Sequence, residues 1–241
     1  MKRTMIAALA IAFLTACSQP PVTPASLKPT AFGTALVESS GGKQVADAGA
    51  TLSQPVIVQV NDAQGNGVTG AAVGFRGPAG VSFNPASGLT DSSGQFTTAV
   101  TLGGVAGRYQ IVASSHDQSG KPIELKLEEI ALDYQASLGR ERNRQYCARC
   151  HDPESTPERV SNFDNLDPKP HALTDGETSN KLSDADLLAL IGHGGPALSR
   201  SPQMPPYAYT LSASDVQALI AYIRAVSDPP YHSKGMVYAK N

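Results

Sequence analysis

Cys147-Ala148-Arg149-Cys150-His151 is the stretch of this 241-residue chain whose residue types and spacing could do chemistry. Two cysteines three positions apart lie on one face of a helical turn. Their sulfurs can reach the two vinyl groups on one edge of a haem and form thioethers. The adjacent imidazole of His151 can then offer a ring nitrogen to the iron. Two other chemistries use Cys-x-x-Cys. A zinc site needs two more ligands, and the sequence contains no second Cys-x-x-Cys. A thioredoxin-like redox pair should follow a strand in a βαβ pattern, and none precedes it here. The spacing therefore points to one covalent haem c held by Cys147, Cys150 and His151.

A second axial ligand can come from Met204, His171, His193 or Met236. Met204 stands apart because Met204-Pro205-Pro206 is an extended, proline-stiffened loop between two capped helices. His193 belongs to Gly192-His193-Gly194-Gly195, a helix stop, and His171 sits in Pro170-His171-Ala172-Leu173. Met236 lies in a polar tail. With His151 and Met204 both on the iron, no substrate reaches it, and the expected role is an electron carrier, not an enzyme. A labile sixth position would instead suit a peroxidase or a ligand sensor.

Helices must position these residues. Leu182-Ser183-Asp184-Ala185-Asp186-Leu187 and Leu211-Ser212-Ala213-Ser214-Asp215-Val216 echo each other. Each offers Ser as N-cap, Asp at the third helical position, and apolar residues placed for a hydrophobic staple. The first helix carries Leu187, Leu188 and Ile191 and is expected to stop at Gly192. The last carries a stripe of Val216, Leu219, Ile220 and Ile223 and stops before Asp228-Pro229-Pro230. An opening helix is expected over about 134–146, with Leu138 and Gly139 facing the core. Residues 152–186 hold nine acids and three bases, which read first as a solvated face.

Upstream the pattern is β. Runs at 54–60, 71–75, 81–83, 95–102, 107–113 and 123–130 are short, rich in β-branched residues and separated by turn clusters. In the last, Ile123, Leu125 and Leu127 alternate with Glu124, Lys126 and Glu128. Six to eight strands in about 100 residues suggest a β-sandwich. No catalytic cluster is present there, and His116 falls in a polar loop. Hydrophobic residues make up 41% of the chain and the formal net charge is -2, so nothing argues for nucleic acid.

Residues 1–16 form a targeting segment, with Lys2 and Arg3 ahead of an apolar run too short to span a bilayer. The three cysteines are Cys17 and the pair above, which leaves none for a disulfide. Residues 17–32 are a proline-rich linker that favours extended backbone.

Three resemblances sharpen this reading. Leu14-Thr15-Ala16-Cys17 resembles the lipobox of bacterial lipoproteins, which implies acylation of Cys17. Ser18 in place of a retention-type Asp then implies a periplasm-facing anchor in a Gram-negative outer membrane. The segment from Pro55 to Phe75, with Thr90-Asp91-Ser92-Ser93-Gly94-Gln95-Phe96 and Gly107 to Ala113, resembles the bacterial Ig-like domains of the intimin/invasin type. That implies an Ig-like sandwich over 33–132, commonly a spacer or adhesion module. Residues 133–228 resemble a class I cytochrome c: Gly139 matches the glycine where first and last helices cross, Tyr222 the aromatic packed there, and Met204-Pro205 the segment of the second axial ligand. The family has an aromatic where this chain has Asn143, and a proline carbonyl that accepts from the haem histidine, for which Pro168 is the candidate.

The expectation is therefore multidomain: an all-β Ig-like sandwich, an all-α class I cytochrome c domain and a polar tail over 229–241. The protein would pass single electrons between redox partner proteins while held at the membrane by its lipid, with no small-molecule substrate. An adhesion or scaffold lipoprotein with an accessory haem domain is the alternative. All candidate ligands but Met236 lie within 133–228, so that stretch is expected to bind haem without the sandwich.

Overall fold

A computed structural model describes residues 28–152 and 162–233. Two sheets face each other in the first half. One has the order β1 (Ala35–Ser40), β3 (Val56–Asn61), β7 (Gln95–Thr101), β5 (Ser82–Asn84). The other has the order β2 (Val45–Asp47), β9 (Pro122–Leu132), β8 (Gly107–His116), β4 (Ala72–Arg76), β6 (Ser87–Leu89). Neighbours run antiparallel except β2 and β9, which are parallel.

Period-two patterning builds the core. Val56, Val58 and Val60 of β3 point inward and are fully buried, opposite Ile111 and Ala113 of β8. Phe75 packs against Phe83 and Phe96, with ring centroids 5.5 and 6.1 Å apart. The alternation of β9 continues past Leu127, so Glu129 follows it into the sandwich and is buried. Among the described residues there are nine strands, more than the six to eight expected. The extra ones include β2 and β6, three residues each, too short to display an alternation.

Three turns at one end of the sandwich are built alike. In each, an aspartate accepts backbone N–H bonds from the residues two and four positions ahead: Asp62 from Gln64 and Asn66, Asp91 from Ser93 and Gln95, Asp117 from Ser119 and Lys121. The chain enters at this same end, where Thr30 N–H donates to Gly70 O at 3.0 Å and Ala35 pairs with Asn61. It leaves at the opposite end, because β9 runs from the Asp117 turn to Leu132.

One residue, Asp133, separates β9 from α1 (Tyr134–Arg142) and caps it through Ala136 N–H at 2.7 Å. The helix widens into a π-helical turn, Asn143–Cys147, where Ala148 N–H reaches back five residues to Asn143 O, and continues as α2 (Ala148–His151). Then come a short α3 (Gly176–Ser179), α4 (Asp184–His193) and α5 (Ala213–Val226). Ser183 and Ser212 are N-caps closed by Asp186 and Asp215 in complete capping boxes. The opening helix is therefore not uniform to Tyr146, and α4 runs one residue past Gly192, through His193, before Gly194 at φ 80° ends it. His116 closes β8 opposite Pro122 instead of sitting in a loop.

α1 and α5 cross at Gly139. A Cβ there would run into the Ala218 carbonyl and come within 2.8 Å of Tyr222 Cβ. Arg142 reinforces the crossing with an ion pair to Asp215 at 2.7 Å. Bonds from Ser212, followed by the Arg142 guanidinium, hold the Asp215 carboxyl down at about 2. Among the described residues no helix is long and apolar enough to cross a membrane.

Candidate functional site: a cavity closed by the Cys-x-x-Cys-His helix and the Met204 loop

A cavity of about 530 Å³ opens in the helical half, within the ~300–1,000 Å³ typical of cofactor sites. Cys147, Cys150, His151 and Met204 all line it. Leu173, Leu182, Leu187, Ile191 and Ile223 supply apolar wall. Elements far apart in sequence thus bring the three motif residues and Met204 to one space.

His151 ends α2, and the His171 carbonyl accepts its Nδ1–H at 2.7 Å. That bond fixes the tautomer and leaves Nε2 as the nitrogen with a free lone pair. The acceptor is thus the backbone of His171, not Pro168 as the resemblance implied. Pro168 lines the cavity but lies three residues short of the bond. The His171 ring turns to Asp175 Oδ2 at 3.1 Å, on the side of the cavity that already serves His151.

The Cys147 thiol is pushed up to about 12, by burial first and then by Asp152 and Cys150. A thiol kept protonated is a poor thioredoxin-like nucleophile. Among the described residues no group of three or more His, Cys, Asp and Glu side chains could hold a metal ion.

The Met204 loop is tied down by backbone and by Tyr207. Tyr207 N–H and Ala208 N–H donate to Ile191 O and Gly192 O, each at 3.0 Å, satisfying carbonyls at the end of α4. Gly195 N–H donates to Met204 O at 3.1 Å, and a Cβ on Gly194 would lie 2.6 Å from that same oxygen. The glycines of the helix stop therefore serve the close approach of the Met204 loop. Tyr207 Oη–H donates to Tyr146 O at 3.0 Å, and the two rings meet edge to face. This links the Met204 loop to the residue before Cys147. Sequence reasoning missed Tyr207, whose signal was its place three residues after Met204.

Arg224 organises the far wall. It donates to Ser179 O at 2.9 Å and Leu182 O at 2.7 Å, pairs with Asp184, and stacks on Tyr231. Asn143, at the position of the family aromatic, is buried, and its Oδ1 has no hydrogen-bond partner.

His193 is not among the lining residues. Cys17 and Met236 lie outside the described residues. Of the acids over 162–186, Asp164 pairs with Lys169, Asp175 with His171 and Asp184 with Arg224, while Asp186 closes a capping box. They serve local structure, as a solvated face would.

A β-sandwich leads into a helical domain built around a Cys-x-x-Cys-His cavity, and comparison with known proteins gives each part a family. Residues 37–127 match the bacterial Ig-like domain (group 1), and residues 135–223 match the family described as cytochrome C oxidase, cbb3-type, subunit III. The chain thus carries a bacterial Ig-like domain followed by a cytochrome c-type domain. Among solved structures it is similar to the D0-D1 domain of intimin, at 14% identity over 42% of this chain and 49% of that one, with TM-score 0.31. It is also similar to invasin, a bacterial integrin-binding protein, at 18% identity over 41% and 19%, with TM-score 0.30. The adhesin InvE of Yersinia pseudotuberculosis is 15% identical over 42% and 32%, with TM-score 0.28. The chain spans about half the length of the intimin fragment and less of the other two. No curated protein matches it.

Proposed function

We propose that this protein is a lipid-anchored class I cytochrome with one covalent haem c, passing single electrons between periplasmic or outer-membrane redox proteins. The observation that carries this reading is the His151 Nδ1–H bond to the His171 carbonyl, in a cavity shared by both motif thiols and Met204. These residues fit a haem. Cys147 and Cys150 would hold it by thioethers, and His151 Nε2 and the Met204 thioether would hold its iron. Bound haem supplies a one-electron iron centre.

The chain's own residues do the rest. The His171 carbonyl holds the proton of His151 on Nδ1 and orients the ring. The apolar wall from α4 and α5 excludes water from the cavity, which would tune the potential of a bound haem. Tyr207 and the end of α4 keep Met204 facing the cavity. With His151 and Met204 both holding the iron, the site would be an electron carrier and not an enzyme. Acylation of Cys17 would hold the domain at the membrane through the linker of residues 17–32.

The test is an absorption spectrum of the purified protein, oxidised and reduced, with its alkaline pyridine adduct. One haem c per chain, low-spin in both states, with a weak long-wavelength sulfur-to-iron band when oxidised, is the expected result. A spectrum without that band, high-spin or altered by His171→Ala, would replace Met204 as the ligand. Cys17→Ser is expected to release the haem protein from membranes or block its processing, read by fractionation.

A further inference from the structure

The sandwich does more than precede the helical domain: it grips it. Ile130 and Leu132, on the outer face of β9, pack with Ala136 of α1 into a cluster that takes in Ala221, Tyr222 and Ala225 of α5. The end of β9 is therefore buried on both faces, with Ala131 turned to the sandwich core. Polar contacts fix the same junction. Arg140 pairs with Asp47 at 2.7 Å and donates to Val45 O at 3.2 Å, and Ser137 also bonds Asp47. Arg108 of β8, paired with Glu128, donates to the Ser227 carbonyl just past the end of α5. A cation there complements the negative end of the helix and satisfies a terminal carbonyl. β2, which supplies Val45 and Asp47, is itself pinned by Gln44 N–H to the buried Glu129 carboxylate at 2.7 Å.

These contacts fall at the end of the sandwich where β9 leaves it. The chain enters at the other end, a β8 length away: ten residues, roughly 33 Å. With one residue between β9 and α1, no linker can hinge. We propose that the Ig-like sandwich is a rigid mount for the haem-binding helices, clamping α1 and α5 beside their crossing and presenting the helical domain at the end opposite the N-terminal tether. What tethers that end rests on the anchor reading above; the rigid coupling does not.

The test uses the full-length haem-loaded protein. Amide 15N relaxation and residual dipolar couplings are measured on wild type, on Arg108→Ala, and on a variant with a short Gly-Ser insert between Leu132 and Asp133. Wild type is expected to give one rotational correlation time and one alignment tensor for both domains. Arg108→Ala is expected to speed hydrogen exchange in the last turn of α5 by about tenfold, with the sandwich amides unchanged. If Arg108→Ala does not fold, Arg108→Lys, which shortens the reach to Ser227, carries the same exchange measurement. Two alignment tensors in wild type would overturn the mount, and unchanged α5 exchange would overturn the clamp. The same couplings measured on Cys17→Ser separate the two readings: loss of membrane association with an unchanged tensor concerns the anchor alone.

Discussion

Glu129 is a carboxyl on the apolar face of a strand, fully buried, with Oε2 bonded to Gln44 N–H and Oε1 without a partner. Burial pushes it up to about 7, opposed by the Gln44 bond and assisted by Glu38 and Glu128. A carboxyl raised in the fold binds its proton more tightly there than in the unfolded chain. Its contribution is thus most favourable below about pH 4.5 and is lost progressively up to about pH 7. The loss is about 3 kcal/mol. Glu129→Gln keeps an acceptor for Gln44 and is expected to be more stable than wild type at pH 8 and equal to it near pH 4. Urea midpoints across that range check it. Met204 is the other residue with a sharp expectation. A thioether stabilises ferrous over ferric iron relative to imidazole, so Met204→His is expected to lower the reduction potential while remaining low-spin. Met204→Ala is expected to bind added cyanide readily and to lose the long-wavelength band; retention of that band would make Met204 a packing residue.

Two elements decide the shape of the cavity. The α1–α5 crossing depends on Gly139, where a Cβ meets backbone that cannot swing away. Gly139→Ala gains helix propensity of under about 1 kcal/mol but is expected to lose about 1–3 kcal/mol to overpacking. A thermal melt should therefore show net destabilisation, with weaker haem retention because α1 leads into Cys147. The Met204 loop depends on Tyr207. Tyr207→Phe keeps the edge-to-face ring contact and removes only the bond to Tyr146 O. A loss of about 1 kcal/mol is expected, together with faster displacement of Met204 by an external ligand, followed by stopped-flow absorbance.

At the scale of the molecule, haem binding and stability part company. Among the described residues the cavity is lined only by those of the helical domain, and a truncated protein starting at Leu132 keeps all of these. It lacks Ile130, Asp47, Val45 and Arg108, which cover the outer face of α1 and the end of α5. The truncated protein is expected to attach haem yet melt at least about 5 °C below the full chain, with α5 frayed at its C-terminal end. Equal melting temperatures by calorimetry would mean that the junction adds nothing to the helical domain.

The local features were legible because each rests on a few adjacent residues. Capping at Ser183 and Ser212 and the stripe of α5 follow from helical spacing, and the sandwich core from alternation. Gly139 was legible by resemblance to a family in which the same crossing occurs. What tertiary structure decided involves partners distant in the chain. The acceptor for His151 is a main-chain carbonyl twenty residues away, and any residue type can present a carbonyl, so the sequence carries no mark of it. Tyr207 acquires its role from the fold of a loop, and Glu129 from an alternation that places a charge where an apolar residue is the rule. The clamp is the clearest case. Asp47, Arg108 and Arg140 read as ordinary surface charges, and only the packing of α1 and α5 against the end of β9 brings them together, because a surface charge gains a role from what the fold sets beside it.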